Sequence, residues 1–359
     1  MSSVNGLWGP FAFLSSFLPS KAPNPYIAAS TFKWEIFLSE KQETMLAVTV
    51  DGGPCAIEVP KPERKETSDV LIKIDRIGIC GTDLAMFRGY NSEFHGIVGH
   101  EFSGTVVDSD QYSWLRRRVT SSINLPADLK GTVDWKTAKH AVGRRALGIR
   151  GIDGVMAEYA VLPEGILVAI PDNVSSDDAA LAEPLAAAID SVDRLPEKDG
   201  QVLVIGDGKL AQLTVRVLLY RGYDVSVWGH HKFKLDLMEK AGARILSVPA
   251  GKWSFSQVIE ISGSPSGFDM AFEAVKPEGT IIADSVLTDK HPVNLSRLVV
   301  DEISIVGSRC GDISDAMQML SEKQIEVNDL ITDIFPLADA EIAFERSQEK
   351  DAIKVLLST

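Results

Sequence analysis

Cys80, His100, Glu101 and Glu183 are the residue types that a divalent metal ion would gather. The first three fall in two short segments, Cys80-Gly-Thr-Asp83 and Gly99-His-Glu101, and Glu183-Pro184 follows much later in the chain. A thiolate, an imidazole and carboxylates form the donor set that zinc takes in sites that keep one position open for substrate. Each residue alone has a plainer explanation. Cys80 would pack as a small buried hydrophobe and His100 as a satisfied core histidine. Taken with their flanking residues, both are expected to be ligands. For Glu101 and Glu183, coordination and an internal salt bridge both stay open. His95 reads as a loop residue.

A second group of residues suits a dinucleotide. The apolar run Gln201 to Ile205 leads directly into Gly206-Asp-Gly208-Lys209-Leu210-Ala211, and Leu210, Leu213, Val217 and Leu218 then recur at helical spacing. Glycines at a strand-to-helix turn let the backbone approach a pyrophosphate, which the unpaired amides of the helix start receive. The next strand, Tyr223 to Trp228, ends at Gly229, where NAD-preferring sites place an acid that binds the ribose hydroxyls. Without that carboxylate a 2′-phosphate meets no repulsion, and His230, His231 and Lys232 can donate to it. NADP(H) is therefore expected in preference to NAD(H). The adjacent histidines are not expected to form a metal pair, because consecutive positions rarely converge on one ion.

The elements that must position these groups change character along the chain. Met45 starts a strand, and Val70 to Ile77 alternates with period two, as a half-buried strand does. From Asp190 onward strands alternate with helices. Lys232 to Ala241 is expected to be helical with Gly242 as its C-cap. Arg244 to Val248, Gln257 to Ile261, Gly279 to Ala283 and Glu302 to Val306 read as further strands. This alternation builds a parallel sheet covered by helices on both faces. Met1 to Thr31 differs, with no acidic residue and much Ser, Ala and Pro, which suits a transit segment or a loosely docked tail.

Composition excludes several function classes. The 359 residues are 45% hydrophobic and 24% charged, enough for a large core divided between two domains. No apolar run approaches a membrane span. The net charge of −14 argues against nucleic-acid or anionic-membrane partners. Any phosphate-bearing ligand must therefore be held locally. Three cysteines, Cys55, Cys80 and Cys310, lack the number and spacing of a disulfide framework and imply a reducing compartment.

From about Met45 to the C-terminus the chain resembles the zinc-dependent medium-chain dehydrogenase/reductases, the superfamily of alcohol, sorbitol, glucose and threonine dehydrogenases. The landmarks arrive in that family's order: Gly78-Ile-Cys-Gly-Thr-Asp83, Gly99-His-Glu-Phe-Ser-Gly104, Ala157-Glu-Tyr159, Glu183-Pro-Leu-Ala186, the glycine turn, and Gly307-Ser-Arg-Cys-Gly311. The resemblance implies an α/β chain in which a GroES-like barrel catalytic domain (residues 45–189 and 311–359) carries an inserted Rossmann domain, a doubly wound parallel sheet (190–310). Residues 1–44 are then an N-terminal extension. Localisation is expected to be cytoplasmic, or plastid or mitochondrial if that extension directs import.

The same resemblance assigns roles. Cys80 and His100 match zinc ligands, and Glu101 and Glu183 stand where polyol and sugar dehydrogenases place one direct ligand and one carboxylate that holds the metal-bound water or exchanges with it. Asp83 matches the carboxylate that orients the ligand histidine. Thr82 matches the hydroxyl that takes the substrate's proton. Gly206, Gly208, Lys209, Leu210, Gly229, His230, His231, Lys232 and Arg309 are the expected cofactor contacts, with a solvated loop the other reading of the His pair and a surface role that of Arg309, and Cys310 is a packing group. The reaction implied is hydride transfer between NADP(H) and a polyol, sugar or secondary alcohol and its carbonyl partner, in a homo-oligomer, dimer or tetramer.

Two departures narrow this. Val119 to Arg145 contains no cysteine, so a second, structural zinc is not expected and the count is one. Ala85 stands where alcohol dehydrogenases extend the proton relay with a histidine. A metal-free NADPH-dependent double-bond reductase of the same fold, or a non-catalytic dinucleotide-binding relative, are the alternatives.

Overall fold

The computed structural model describes residues 43–359 apart from 129, 130, 132, 199 and 287–289. The leader therefore lies almost wholly outside the described residues, and nothing bears on its reading as a transit segment. Among the described residues no helix is long and apolar enough to cross a membrane.

The first half is strand-rich. Strands β1 (Thr44–Val48), β2 (Ala56–Pro60) and β3 (Asp69–Gly78) precede helix α1 (Gly81–Phe87), and β4 (Glu101–Ser109) and β5 (Arg118–Ser121) follow it. A small lobe holds β6 (Asn124–Leu125), α2 (Trp135–Ala138), β7 (Arg145–Leu147) and β8 (Gly151–Ile152). The chain returns through β9 (Tyr159–Pro163), β10 (Leu167–Ala169) and α3 (Ser176–Ala179) to the long helix α4 (Ala182–Asp193). In β3 the residues Val70, Ile72 and Ile74 are buried while Lys73 is exposed, the alternation expected of a strand with one wet face. Two register shifts against β4, at Leu71/Ile72 and Ile74/Arg76, bend the pair and curl the sheet.

The second half alternates. It runs β11 (Gln201–Ile205), α5 (Lys209–Tyr220), β12 (Asp224–Trp228), α6 (Lys232–Ala241), β13 (Arg244–Ile245), β14 (Phe255–Glu260), α7 (Pro265–Ala274), β15 (Val275–Ala283), α8 (Leu295–Val300) and β16 (Ser304–Gly307). All pairs are parallel, in the order β13-β12-β11-β14-β15-β16. The order reverses between β11 and β14, and a crevice opens there at the carboxyl ends of the strands. One face of the sheet packs on α4, α5 and α9 (Ile313–Ser321), the other on α7 and α8, each over its own apolar core.

The chain then goes home. β17 (Ile331–Pro336), α10 (Ala340–Arg346) and β18 (Lys354–Ser358) rejoin the first sheet, whose order is β10-β5-β4-β3-β18-β17 with β9 on the other edge of β3. The C-terminal strand β18 thus lies directly beside β3, with Leu356 opposite Gly78. That placement brings Lys354 to the residues before α1. The architecture is a GroES-like barrel carrying an inserted Rossmann sheet.

Candidate metal centre and dinucleotide crevice

The metal-binding candidates are organised by one buried carboxylate. Cys80 is the N-cap of α1, and Asp83, three residues on, accepts the Cys80 N–H through Oδ2 at 2.8 Å. Its other oxygen accepts the Gly99 N–H at 3.2 Å and stands 3.7 Å from His100 Nδ1. Asp83 therefore ties the helix start to the Gly99–Glu101 segment that enters β4. The Sγ of Cys80 and the Oγ1 of Thr82 are 3.7 Å apart.

Sequence position brought Cys80, His100 and Glu101 near one another, and the fold completes the approach. Their ligand atoms all lie within 4.8 Å of each other, with His100 and Glu101 buried. Glu183, on the first turn of α4, is outside that group of three, but its carboxyl is close enough to feel the charges of His100 and Cys80. It lines a small cavity with Asn124, Trp135 and Cys310.

The electrostatics favour a cation. Burial alone would raise the Cys80 thiol, but Lys209, His100 and Lys354 outweigh it and hold the thiol well below its ordinary value. Burial alone would lower His100, yet Asp83 and the Cys80 sulfur raise its imidazole to about 9. Both shifts favour the charged forms of this pair, and a divalent ion bound there would take the place of the imidazole proton. Burial raises Glu183 to about 7. The Oε1 of Glu101 and the Nδ1 of His100 are buried without a hydrogen-bond partner among the described residues. An orphaned carboxylate oxygen beside a thiolate and an imidazole fits zinc's donor preferences.

Two lysines frame this group. Lys354, 1% exposed, contacts the Glu101 carboxylate and donates to Ile79 O at 3.2 Å. A side chain at Gly78 would collide with both members of that pair, which explains the glycine. Lys209 reaches across from the glycine turn and donates to the same Ile79 O at 2.7 Å. The glycine turn and the Cys80 segment are therefore directly joined.

The crevice at the sheet's switch point is a cavity of about 450 Å³. Gly206, Asp207 and Gly208 form one wall, Gly229, His230, His231 and Lys234 another, and Ser262, Ser264 and Ser266 a third. Gly206 has φ +131°, and a Cβ there would lie 2.8 Å from Ile261 O. Lys209 and Leu210 start α5 directly after its N-cap, Gly208.

The sequence-predicted residues are not all brought together. Lys232 points outward, 86% exposed in its side chain, with Nζ 2.7 Å from Asp236. Lys234, one pair of residues on, lines the cavity instead. Arg309 donates to Lys139 O and faces the small lobe. Cys310 is packed so tightly that burial raises its thiol to about 11.

Asp207 went unread in the sequence. Its Oδ2 accepts the N–H groups of His230 at 2.6 Å and His231 at 2.8 Å, and its Oδ1 lies 3.0 Å from His231 Nδ1. Burial would raise this carboxyl, but those donors outweigh it and hold it below the ordinary range. A Cβ at Gly229 would lie 2.6 Å from the same oxygen. The end of β12 thus has a carboxylate after all, delivered from the neighbouring turn and engaged through both oxygens by the His230–His231 segment. A charged residue inside the glycine motif was the available signal. Lys354 gave none, because nothing local distinguishes a buried lysine from a surface one.

A barrel with an inserted Rossmann sheet, and a Cys–His–Glu group at their junction, defines the architecture of the medium-chain dehydrogenase/reductases. Residues 66–172 match the alcohol dehydrogenase GroES-like domain. The chain is 26% identical over 332 residues to D-arabitol-phosphate dehydrogenase of Enterococcus avium, covering 84% of this chain and 93% of the relative. It is 25% identical over 328 residues to sorbitol dehydrogenase of Halalkalibacterium halodurans, covering 84% and 94%. A protein from Sinorhizobium meliloti 1021 described as a zinc-binding dehydrogenase, solved with NADP, superposes with a TM-score of 0.80 at 25% identity, covering 89% of this chain and 100% of that one. Escherichia coli L-idonate 5-dehydrogenase shares the fold at a TM-score of 0.80 and 23% identity, covering 88% and 99%. Over most of its length the chain is thus similar to dehydrogenases of the medium-chain dehydrogenase/reductase type, and residues 66–172 match their GroES-like domain.

Proposed function

We propose that this protein is a zinc-dependent oxidoreductase that moves hydride between NADP(H) and a polyol, sugar or related secondary alcohol and its carbonyl partner. The observation that carries the reading is the group Cys80, His100 and Glu101, with ligand atoms within 4.8 Å, linked through Lys209 to a dinucleotide-type turn. The likeness to D-arabitol-phosphate and sorbitol dehydrogenases favours the polyol class. Gly229, His230 and His231 favour the phosphorylated cofactor.

Cys80 and His100 would hold one zinc, with Glu101 and Glu183 sharing the remaining protein position. Bound there, zinc supplies Lewis acidity toward an alcohol or carbonyl oxygen. The residues of the chain do the rest. Asp83 Oδ1 faces His100 Nδ1, which favours the proton on that nitrogen and leaves Nε2 as the donor atom. Lys354 fixes one oxygen of Glu101 and leaves the other available. Thr82 Oγ1, beside the Cys80 sulfur, takes the substrate hydroxyl's proton in oxidation and returns it in reduction. Gly206 to Leu210, at the start of α5, would hold the pyrophosphate of a bound dinucleotide, which would supply or accept the hydride.

Metal analysis of gently purified protein, together with turnover of polyols, aldoses, aldehydes and secondary alcohols with both cofactors, tests the reading. About one zinc per chain is expected, and Cys80→Ser should abolish turnover while NADPH still binds. Protein that turns over an alcohol without bound metal would overturn it.

A further inference from the structure

Asp207 is 8% exposed and lies on the wall of the crevice, yet all of its contacts turn toward the loop after β12. One oxygen receives two consecutive backbone N–H groups and the other faces an imidazole nitrogen. Most of the carboxylate's acceptor capacity is therefore spent on this loop and not on the ribose hydroxyls that an NAD-type acid would bind. What it fixes is His231. With Nδ1 held by Asp207, the other ring nitrogen, Nε2, has no protein partner among the described residues, and the ring lines the cavity.

The surroundings of that ring suit an anion. Lys234 lines the same cavity, as do Ser262, Ser264 and Ser266, whose hydroxyls bond to one another and to Glu260. His231 is the N-cap of α6 but makes no side-chain cap, and the first turn of that ten-residue helix holds no acid. Two lysines stand there instead, against the usual preference of a helix start for negative charge. Of the two, Lys232 is paired with Asp236, and Lys234 is the lysine that lines the cavity.

We infer that Asp207 is a positioning residue for cofactor choice: it clamps the His230–His231 turn so that the His231 ring and Lys234 together receive the phosphate on the adenosine 2′ carbon. This rests on the NADP reading above and deepens it. Asp207 acts through His231 and does not itself touch the phosphate. Lys232, paired outward with Asp236, takes no part.

The test is equilibrium binding of NADPH, NADH and adenosine 2′,5′-bisphosphate to the whole protein, for wild type, Asp207→Ala, Asp207→Asn, His231→Ala and Lys234→Met. Asp207→Ala should weaken NADPH and the bisphosphate about tenfold, the scale of one charge-assisted hydrogen bond, and NADH by no more than about twofold. Asp207→Asn, which keeps one acceptor, should recover part of the loss. Equal losses for NADPH and NADH would mean a purely structural role, and tighter NADPH binding by either Asp207 variant would mean that the carboxylate repels the phosphate. Either result overturns the inference. Wild-type protein that binds NADH as tightly as NADPH overturns the NADP reading itself, whatever the variants do. If Asp207→Ala does not fold, His231→Ala and Lys234→Met decide the matter, since each must lower NADPH affinity selectively.

Discussion

Replacing Lys139 by methionine would remove a buried brace that joins three distant parts of the chain. Lys139 is 2% exposed, and its ammonium donates to Asp190 Oδ1, Arg309 O and Cys310 O, each at 3.2 Å. The face of Trp135 lies 4.5 Å away. The lysine thus pins the small lobe to α4 and to the loop leaving β16, beside the Glu183 cavity. Methionine fills the stem's volume and donates nothing. Hydrogen bonds from a charged donor contribute about 1.5–3 kcal/mol each, and bonds of this length fall at the weak end. Asp190 keeps Arg194 Nε at 2.8 Å and Ser308 Oγ at 2.9 Å, so no bare charge is left behind. Relief from burying an ammonium offsets part of the loss. The net expectation is a destabilisation of about 2–4 kcal/mol. Urea unfolding followed by tryptophan fluorescence measures it, with the midpoint falling at unchanged slope. Asp190→Asn should cost less in the Lys139→Met background than in wild type. A loss under about 1 kcal/mol, or strict additivity with Asp190→Asn, would refute the brace.

Lys354→Met leaves the Glu101 carboxylate buried without its counter-charge and should destabilise the metal-free protein by about 3–5 kcal/mol. Adding Glu101→Gln should restore most of that, and a double variant no more stable than the single would defeat the pairing. Asp284 predicts a pH dependence. Burial raises its carboxyl to about 6, against about 3.9 in the unfolded chain. Between about pH 4 and 6 the folded state binds the extra proton, so this group's contribution to stability falls as pH rises through that window and stays low above it. Asp284→Asn should therefore match wild type near pH 3 and exceed it by up to about 3 kcal/mol at pH 8, as read by denaturant midpoints. A difference that does not change with pH would show that Asp284 does not titrate in this way.

Much of the Rossmann sheet was legible because its signals are local. Gln201–Ile205 and Lys232–Ala241 form the strand and helix that periodicity predicts, and Gly242 closes the helix at φ +115°. Boundaries failed where pairing decides them. The run expected to be a strand from Arg244 to Val248 pairs only at Arg244 and Ile245, because the edge strand finds just Ser226 and Val227 opposite it. The strand expected from Gly279 begins at Val275, where Phe255 offers a partner. The barrel was less readable. Its central strand β3 alternates clearly, but its neighbour β18 comes from the far end of the chain.

The sequence by itself determined the donor types, the order of the Cys-Gly-Thr-Asp, Gly-His-Glu and glycine-turn segments, and the absence of cysteines in the small lobe. Those are properties of residue identity and of spacings of a few residues. Only the tertiary structure decided which charges meet. Lys354 reaches Ile79 from 275 positions away, Lys209 from 130, and Asp207 closes on His231 across 24. Periodicity and propensity act within a turn or a strand. Desolvation and ion pairing act wherever the folded chain crosses itself. That is why Cys80 and His100 stood out at once, while the carboxylate beneath Gly229 and the lysine behind Glu101 did not.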